Sequence, residues 1–253
     1  MLNGLDLFSG IGGLSIALSE WVRPIAYCEI DSHCQGVLLS RIHKRELWNA
    51  PIWDDIRTYP IRDLCTDIDI IYGGFPCQDI SVAGHGKGLD GERSGLFFEI
   101  VRLAKEIQPK FLFIENVPAI TSRGGLRIVR EITEMGYDCR WCIISAEEFV
   151  DQNRERWFFL AKLNSQRFEQ RAGEDLQQER EASIDEESCH HKLQDMESWT
   201  TFACGVRAVN GIPNRVDRIR ALGNSVVPQQ AKEAFEILMG LKNQPHAIAK
   251  KYQ

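Results

Sequence analysis

The first apolar run, Leu5-Asp6-Leu7-Phe8, stops at a glycine-rich stretch from Ser9 to Gly13, and apolar positions then resume at helical spacing from Leu14 to Trp21. This predicts strand, glycine turn, helix. Pro24 to Ile30 predicts a second strand that ends on Glu29 and Asp31, with Ser32 capping a helix that runs towards Trp48. Two further apolar runs, Ile68 to Tyr72 and Lys110 to Ile114, each stop where polar residues begin, at Gly73-Gly74 and at Glu115-Asn116. Between them Leu96, Phe97, Ile100, Leu103, Ala104 and Ile107 recur with the 3.6-residue period of a helix laid on a sheet. Crossover helices imply parallel strands, so the fold class is α/β with a mostly parallel sheet. Tyr137 to Ser145 and Trp157 to Lys162 read as an antiparallel pair at the sheet edge. A last helix presents Ala231, Ala234, Phe235, Leu238 and Leu241 on one face.

The interval from Leu163 to Asn210 breaks this rhythm. It is rich in Gln, Glu and Arg and lacks an apolar period, so it is an insert, a lid or a disordered lobe. It divides the chain into a main body, 1–162 with 211–253, and a short acidic insert, 163–210. Residues 165–198 hold ten acidic and four basic side chains, which is the whole of the net charge of −6. The rest is balanced, so a polyanionic partner is compatible with local arginine clusters. Among the 253 residues, 43% are hydrophobic and 26% charged, which excludes collagen-like and largely disordered classes. The uncharged stretch Leu7 to Ser19 is shorter than the roughly 18 apolar residues of a membrane span and predicts no anchor or signal peptide. Eight cysteines without a framework suggest thiols in a reducing cytosol.

Candidate chemistry gathers at the predicted strand ends. Gly10, Gly12 and Gly13 let backbone amides approach a ligand, and Glu29 at the next strand's end can accept from two ribose hydroxyls. The spaced third glycine of dinucleotide enzymes is missing. Gly73-Gly74-Phe75-Pro76-Cys77-Gln78 sets a cysteine just past a strand's carboxyl end, where open α/β sheets keep their sites, although cysteine is also a common small core residue. Glu115-Asn116-Val117 brings a carboxylate to the same rim, and a thiolate beside a carboxyl able to stay protonated is a reactive pair. In Gln152-Asn153-Arg154-Glu155-Arg156 the two arginines share one side of a strand, suited to a base and a phosphate, or to salt bridges on a solvated face.

Taken in order, Asp6-Leu7-Phe8-Ser9-Gly10-Ile11-Gly12-Gly13, Glu29, Pro76-Cys77-Gln78, Glu115-Asn116-Val117, Gln152 to Arg156 and Gly223-Asn224-Ser225-Val226 resemble the signature blocks of the cytosine-C5 DNA methyltransferases. The ending Gly211 to Arg218 is similar to small bacteriophage and prophage members. The resemblance implies a class I S-adenosylmethionine-dependent methyltransferase fold, Rossmann-like, with helices on both faces of the sheet. It implies S-adenosyl-L-methionine as cofactor and double-stranded DNA as partner, in a monomer of the bacterial or phage-infected cytoplasm that serves restriction-modification. Carried over residue by residue, Phe8 stacks near the adenine, Glu29 holds the ribose, and Asp55 with Ile56 meets the adenine edge, with Ile30 a further cofactor contact. Asp6, Gly10, Ile11, Gly12, Gly13, Gly74, Pro76, Leu96, Asn224, Ser225 and Val226 complete the cofactor pocket. The C-terminal helix must then return beside the first one.

The resemblance further implies that the base is flipped out and that Cys77 adds to C6. Glu115, protonated or sharing its proton with N3, stabilises the adduct, while Arg156 holds O2 and Arg154 lies nearer the backbone. Gln78, Ser81, Asn116 and Gln152 are the remaining substrate candidates, and the loop from Gln78 to Gly95 closes over the base. Two features depart from the family pattern: the insert is short and acidic, and Asn214 to Ile219 replaces the usual Arg-Leu-Gln block. Arg207, Arg215, Arg218 and Arg220 are candidates for phosphate contacts. A tRNA-directed relative and a catalytically silent DNA-binding relative are the alternatives. Thr201-Phe202-Ala203-Cys204 differs from the Cys-Phe-Thr order of the RNA branch, and retention of Cys77, Glu115, Arg154 and Arg156 opposes silence. Cys139 and Cys142, with Cys189-His190-His191, suggest zinc only weakly, because an i, i+3 pair on a strand faces opposite sides. No metal is expected.

Overall fold

In the computed structural model, residues 1–60, 67–76, 94–150, 154–164 and 225–242 are described. Their strands are β1 (Leu2–Leu7), β2 (Val22–Cys28), β3 (Ile52–Trp53), β4 (Ile70–Gly74), β5 (Phe111–Asn116), β6 (Tyr137–Ser145) and β7 (Glu155–Leu163). They form one sheet in the order β3-β2-β1-β4-β5-β7-β6. All neighbours run parallel except at β7, which is antiparallel to both β5 and β6. The helices are α1 (Gly13–Ala17), α2 (Ser32–His43), α3 (Phe97–Ile107), α4 (Gly125–Thr133) and α5 (Pro228–Leu238).

Alternation along the strands builds two apolar layers. Leu5 and Leu7 of β1 join Ile71, Leu112 and Ile114 on one face, covered by Phe97, Ile100, Leu103 and Ala104 of α3 and by Ile128 and Ile132 of α4. Ile70, Tyr72, Phe113 and Phe158 face the other way, under Leu14 and Ala17 of α1 and Ala231, Ala234, Phe235 and Leu238 of α5. Phe235 closes this layer edge-on against Phe113, with ring centroids 5.2 Å apart, and packs on Trp21 at 5.3 Å. The C-terminal helix therefore does return beside the first. Truncating such a buried ring costs about 3–5 kcal/mol.

Several element ends differ from the sequence expectation. The first helix stops at Ala17, and Leu18 to Trp21 turn directly into β2, which starts at Val22 and ends at Cys28, before Glu29. Asp31, not Ser32, caps α2, its carboxylate accepting from the amides of His33 and Cys34. That helix ends at His43, because Arg45 takes a left-handed φ of 61°, and Trp48 lies beyond it. Leu241 falls past α5 and is exposed. β3, α4 and the three-ten turn Pro118–Ser122 have no counterpart in the sequence expectation. Tyr137 to Ser145 is the edge strand as expected, and Cys139 and Cys142 contribute to opposite layers. Among the described residues no group of three or more His, Cys, Asp or Glu could hold a metal ion, and no helix is long and apolar enough to cross a membrane. The acidic insert lies almost wholly outside the described residues.

Candidate active site

The strand order reverses direction at β1, with β2 and β3 on one side and β4 and β5 on the other. Ligands of open α/β sheets bind outside the carboxyl ends of strands at such a switch point. Here the Phe8–Gly13 turn leaves β1, Gly74-Phe75-Pro76 leaves β4, and Glu115-Asn116 closes β5.

The first turn is tightly determined. Phe8, Gly10 and Gly12 all have left-handed backbones, with φ of 54°, 54° and 85°. A left-handed phenylalanine carries a strain of about 1–2 kcal/mol, which the surrounding contacts must hold. Ser9 contributes by donating its hydroxyl to the Asp6 carbonyl at 2.9 Å. Glu29 completes the frame: one carboxylate oxygen accepts the Gly10 amide and the other the Asp31 amide, both at 2.7 Å. Burial raises the Glu29 pKa above the usual carboxylate range, while these amides oppose the shift. Arg41 of α2 donates to the Ile11 carbonyl at 2.8 Å, and Gln35 to that of Glu29 at 2.6 Å. Ile30 is exposed next to Glu29, whereas Ile11 is buried against Cys34.

Asp6 lies wholly inside, beneath this turn. Its Oδ2 accepts the Ser15 hydroxyl at 2.6 Å, and Ser15 in turn shares a hydrogen bond of 2.7 Å with the Tyr72 hydroxyl. Burial dominates over these weak donors and pushes the Asp6 carboxyl up to about 7. Asp6 is therefore shut off from the surface and braces the turn from within. On the neighbouring edge Asp55 caps the three-ten turn Ile56–Thr58, and its carboxylate pairs with Arg57 at 2.6 Å, which lowers its pKa. Ile56 is buried, and its carbonyl accepts from Arg102 at 2.9 Å.

At the other end of the rim, Glu115 sits beside Gly74 in the parallel register of β4 and β5. A side chain at Gly74 would collide with Glu115 Oε2, so glycine makes room for the carboxylate. Because β7 runs antiparallel to β5, its first residues arrive where β5 ends, and Asn116 pairs with Trp157. Arg156 Nε thereby meets Glu115 Oε1 at 2.6 Å, with both side chains largely buried. Burial raises the Glu115 pKa, and Arg156, then Arg154, pull it back. Arg154 donates to the Ser225 carbonyl. The buried amide of Asn116 donates to the Phe75 carbonyl at 3.0 Å and accepts the Val117 amide at 2.8 Å. Asn116 thus fixes the turn that leads through Pro76 to position 77. Leu96, half-buried, precedes α3.

The C-terminal block reaches the first turn. A Cβ on Gly13 would stand 2.9 Å from a Val226 methyl and 3.3 Å from the Ser225 hydroxyl, so the two segments touch closely. Cys77, Gln78, Ser81, Gln152 and Asn224 lie outside the described residues, as do Arg207, Arg215, Arg218 and Arg220. The residues that sequence reasoning missed are the braces: Ser15, Gln35, Arg41, Tyr72 and Gln230. Ser15 and Gln230 had a readable signal, since each is a polar residue within an apolar stripe.

The sequence model of the C-5 cytosine-specific DNA methylase family matches residues 2–202. The chain belongs to that family. It is 35% identical over 159 residues to the type II methyltransferase M.CviJI of Paramecium bursaria Chlorella virus IL3A, covering 62% of this chain and 42% of the relative. Against the type II methyltransferase M.HhaI of Haemophilus parahaemolyticus the identity is 32% over 177 residues, covering 66% and 52%. Among solved structures it resembles an E. coli prophage-encoded DNA modification methyltransferase, with a TM-score of 0.53, 27% identity, and coverage of 66% and 48%. It also resembles the S. pombe Dnmt2 methyltransferase, with a TM-score of 0.52, 26% identity, and coverage of 65% and 51%. The fold is that of the class I S-adenosylmethionine-dependent methyltransferases. The chain spans about half the length of these relatives.

Proposed function

We propose that this protein is a DNA (cytosine-5-)-methyltransferase that takes its methyl group from S-adenosyl-L-methionine and acts on a flipped-out cytosine in double-stranded DNA. The observation that carries the reading is the buried Glu115–Arg156 pair on the sheet's carboxyl rim, between the turn that leads to Cys77 and the C-terminal block that touches the Gly13 turn.

The donor set fits the cofactor. Glu29 is a buried carboxylate with a fixed orientation next to an exposed Ile30, which suits a ribose with an apolar neighbour. The left-handed turn at Phe8, Gly10 and Gly12 lets backbone approach the ligand closely, and among the described residues only the Phe8 carbonyl, at 3.9 Å, lies near the place of a Cβ on Gly10. Asp6 braces this turn through its carbonyl, which accepts the Ser9 hydroxyl, and Ile11, Gly13, Asp55, Ile56, Gly74, Pro76, Leu96, Asn224, Ser225 and Val226 are assigned to the remaining wall. When bound, S-adenosylmethionine supplies an electrophilic methyl group.

The protein's own residues prepare the acceptor. The Cys77 thiolate adds to C6 of cytosine, a new S–C6 bond forms, and the electron pair of the C5–C6 double bond moves to C5. Glu115, whose burial favours the protonated form, donates towards N3 and stabilises that charge as it develops. Arg156 orients Glu115 and reaches O2 from the same side, and Arg154 holds the Ser225 segment. After methylation, loss of the C5 proton to a base restores the double bond and expels the Cys77 thiolate. Gln78, Ser81, Asn116 and Gln152 are assigned to the substrate side, Asn116 through the Phe75 turn that it fixes. The chain acts as a monomer in the cytoplasm, in a restriction-modification role, and the insert 163–210 stands in place of a target-recognition region.

The test is transfer of labelled methyl to unmethylated plasmid DNA by the wild type and by Cys77→Ser, followed by bisulfite sequencing. Cys77-dependent methylation at one recurring sequence is the expected result. Transfer to tRNA but not DNA would move the substrate to RNA, and no transfer despite cofactor binding would leave a silent DNA-binding protein.

A further inference from the structure

Gln230 is the one wholly buried polar side chain of α5 among the described residues, and the methyl-transfer chemistry above does not use it. It stands on the helix stripe that also carries Ala234, Ile237 and Leu238, where an apolar residue is expected. Its Nε2 spends both hydrogens across the mouth of the β6–β7 hairpin, donating to the Ile144 carbonyl at 2.7 Å and to the Arg154 carbonyl at 2.8 Å. The Ala146 amide donates to the same Arg154 carbonyl at 3.1 Å, so the last rung of the hairpin and Gln230 share one acceptor. Among the described residues, Gln230 Oε1 is buried with no hydrogen-bond partner. An unsatisfied buried acceptor opposes stability, so what Gln230 supplies at this place is its two donated hydrogen bonds.

From this acceptor the connections run to both halves of the rim. The Arg154 guanidinium donates to the Ser225 carbonyl, and Ser225 with Val226 lies against Gly13 of the first turn. Two residues along, Arg156 meets Glu115 at 2.6 Å.

We infer that Gln230 is a positioning residue, which fixes the backbone at Arg154 so that Arg156 meets Glu115 while Arg154 holds the C-terminal block against the cofactor turn. The inference deepens the proposed methyltransferase reading, but its principal readout does not need transfer. The charged groups that act on Glu115 among the described residues are Arg156 and Arg154, and both hold its pKa down against burial. Loosening them must therefore raise it.

The experiment is a carbon-detected NMR titration of the Glu115 carboxyl in the full chain, assigned with Glu115→Gln, for wild type, Gln230→Met and Phe235→Leu. Gln230→Met keeps the length and removes both donors. Phe235→Leu loosens α5 against Trp21 and Phe113 without touching either carbonyl. The expected result is that Glu115 titrates about half a pH unit or more higher in Gln230→Met and stays in place in Phe235→Leu. If Gln230→Met does not fold, Gln230→Asn keeps the amide but falls one carbon short of bridging both carbonyls, and it carries the same expectation. Unshifted titration, or equal shifts in the Gln230 and Phe235 variants, overturns the inference. Methyl transfer by the same proteins separates the two levels: a 10- to 100-fold lower kcat in Gln230→Met, roughly the cost of misplacing a catalytic group, accompanies the shift if both readings hold. A wild type that transfers nothing while Glu115 still shifts removes the activity and keeps the positioning role.

Discussion

Glu29 and Glu115 are both buried carboxylates on the same rim of the same sheet, yet they are held by opposite means. Glu29 accepts two backbone amides, Gly10 and Asp31, which belong to fixed turns. Glu115 leans on a side chain, Arg156, which reaches it from an antiparallel strand. Burial raises the pKa of both, but the opposing force is dipolar at Glu29 and a full charge at Glu115. An acceptor that must keep one geometry is best fixed by backbone. A carboxyl that must hold and release a proton is better set by a charge that can shift. Asp6 marks the limit of the series, since hydroxyl donors alone leave it at about 7.

The largest effect that tests this contrast is on turnover. Glu115→Gln keeps the shape but cannot release a proton, and methyl transfer should fall by about 10²–10⁴, the range for a general acid. Glu29→Gln should leave kcat within a few-fold at saturating cofactor. Equal kcat losses in the two variants, measured with labelled cofactor, would erase the distinction.

Arg156→Met comes next. It leaves Glu115 buried without its main partner, so stability should fall by about 3–5 kcal/mol in urea unfolding. Adding Glu115→Gln should restore much of that loss. A double variant as unstable as the sum of the two would show that the arginine acts by packing, not by charge.

Asp6 gives a pH signature. Its folded carboxyl titrates at about 7 and its unfolded one near 3.8, so between these values the folded state holds a proton that the unfolded state has lost. Stability from this group is fully present at low pH, declines as pH rises through that window, and levels off above it. The decline amounts to at most about 4 kcal/mol. Asp6→Asn should gain on the wild type between pH 4 and 7 in unfolding experiments. Parallel stability curves for the two proteins would contradict the buried, proton-holding carboxyl.

The smallest effect is on binding. Glu29→Gln should weaken S-adenosylmethionine by about 10- to 100-fold, as expected for one charge-assisted hydrogen-bond partner of about 1.5–3 kcal/mol. Calorimetry that finds unchanged affinity would free Glu29 for a purely structural role in the Gly10 turn.

What could be read along the chain is what local chemistry dictates. The runs at β1, β4 and β5 ended where polar residues began, because a parallel strand loses its apolar pattern at the rim. The antiparallel pair of β6 and β7, with β6 at the edge, matches the sequence reading. β3 could not be read, because its two residues become a strand only by pairing with Tyr27 and Cys28. α4 was hidden by its shortness, with Ile128 and Ile132 as its main buried anchors and Leu126 exposed. In the site, Glu29 and Glu115 stood out as acidic residues at strand ends. Ser15 and Gln230 show only as polar residues in apolar stripes, and their partners are not legible, because Gln230 acts 76 residues away from Arg154 and nothing near it in sequence names that partner. Ser15 is the same case in miniature, a hydroxyl inside an apolar helix whose partners, Asp6 and Tyr72, come from two strands.

The most direct test of the covalent chemistry is to offer DNA containing 5-fluorocytosine with S-adenosylmethionine. After methylation C5 then carries fluorine where the departing proton would be, so the Cys77–C6 bond cannot be released. A cofactor-dependent protein–DNA adduct that survives denaturation, maps to Cys77 by mass spectrometry and disappears in Cys77→Ser is the predicted result. Methyl transfer to ordinary DNA without any such adduct would contradict the account at its centre.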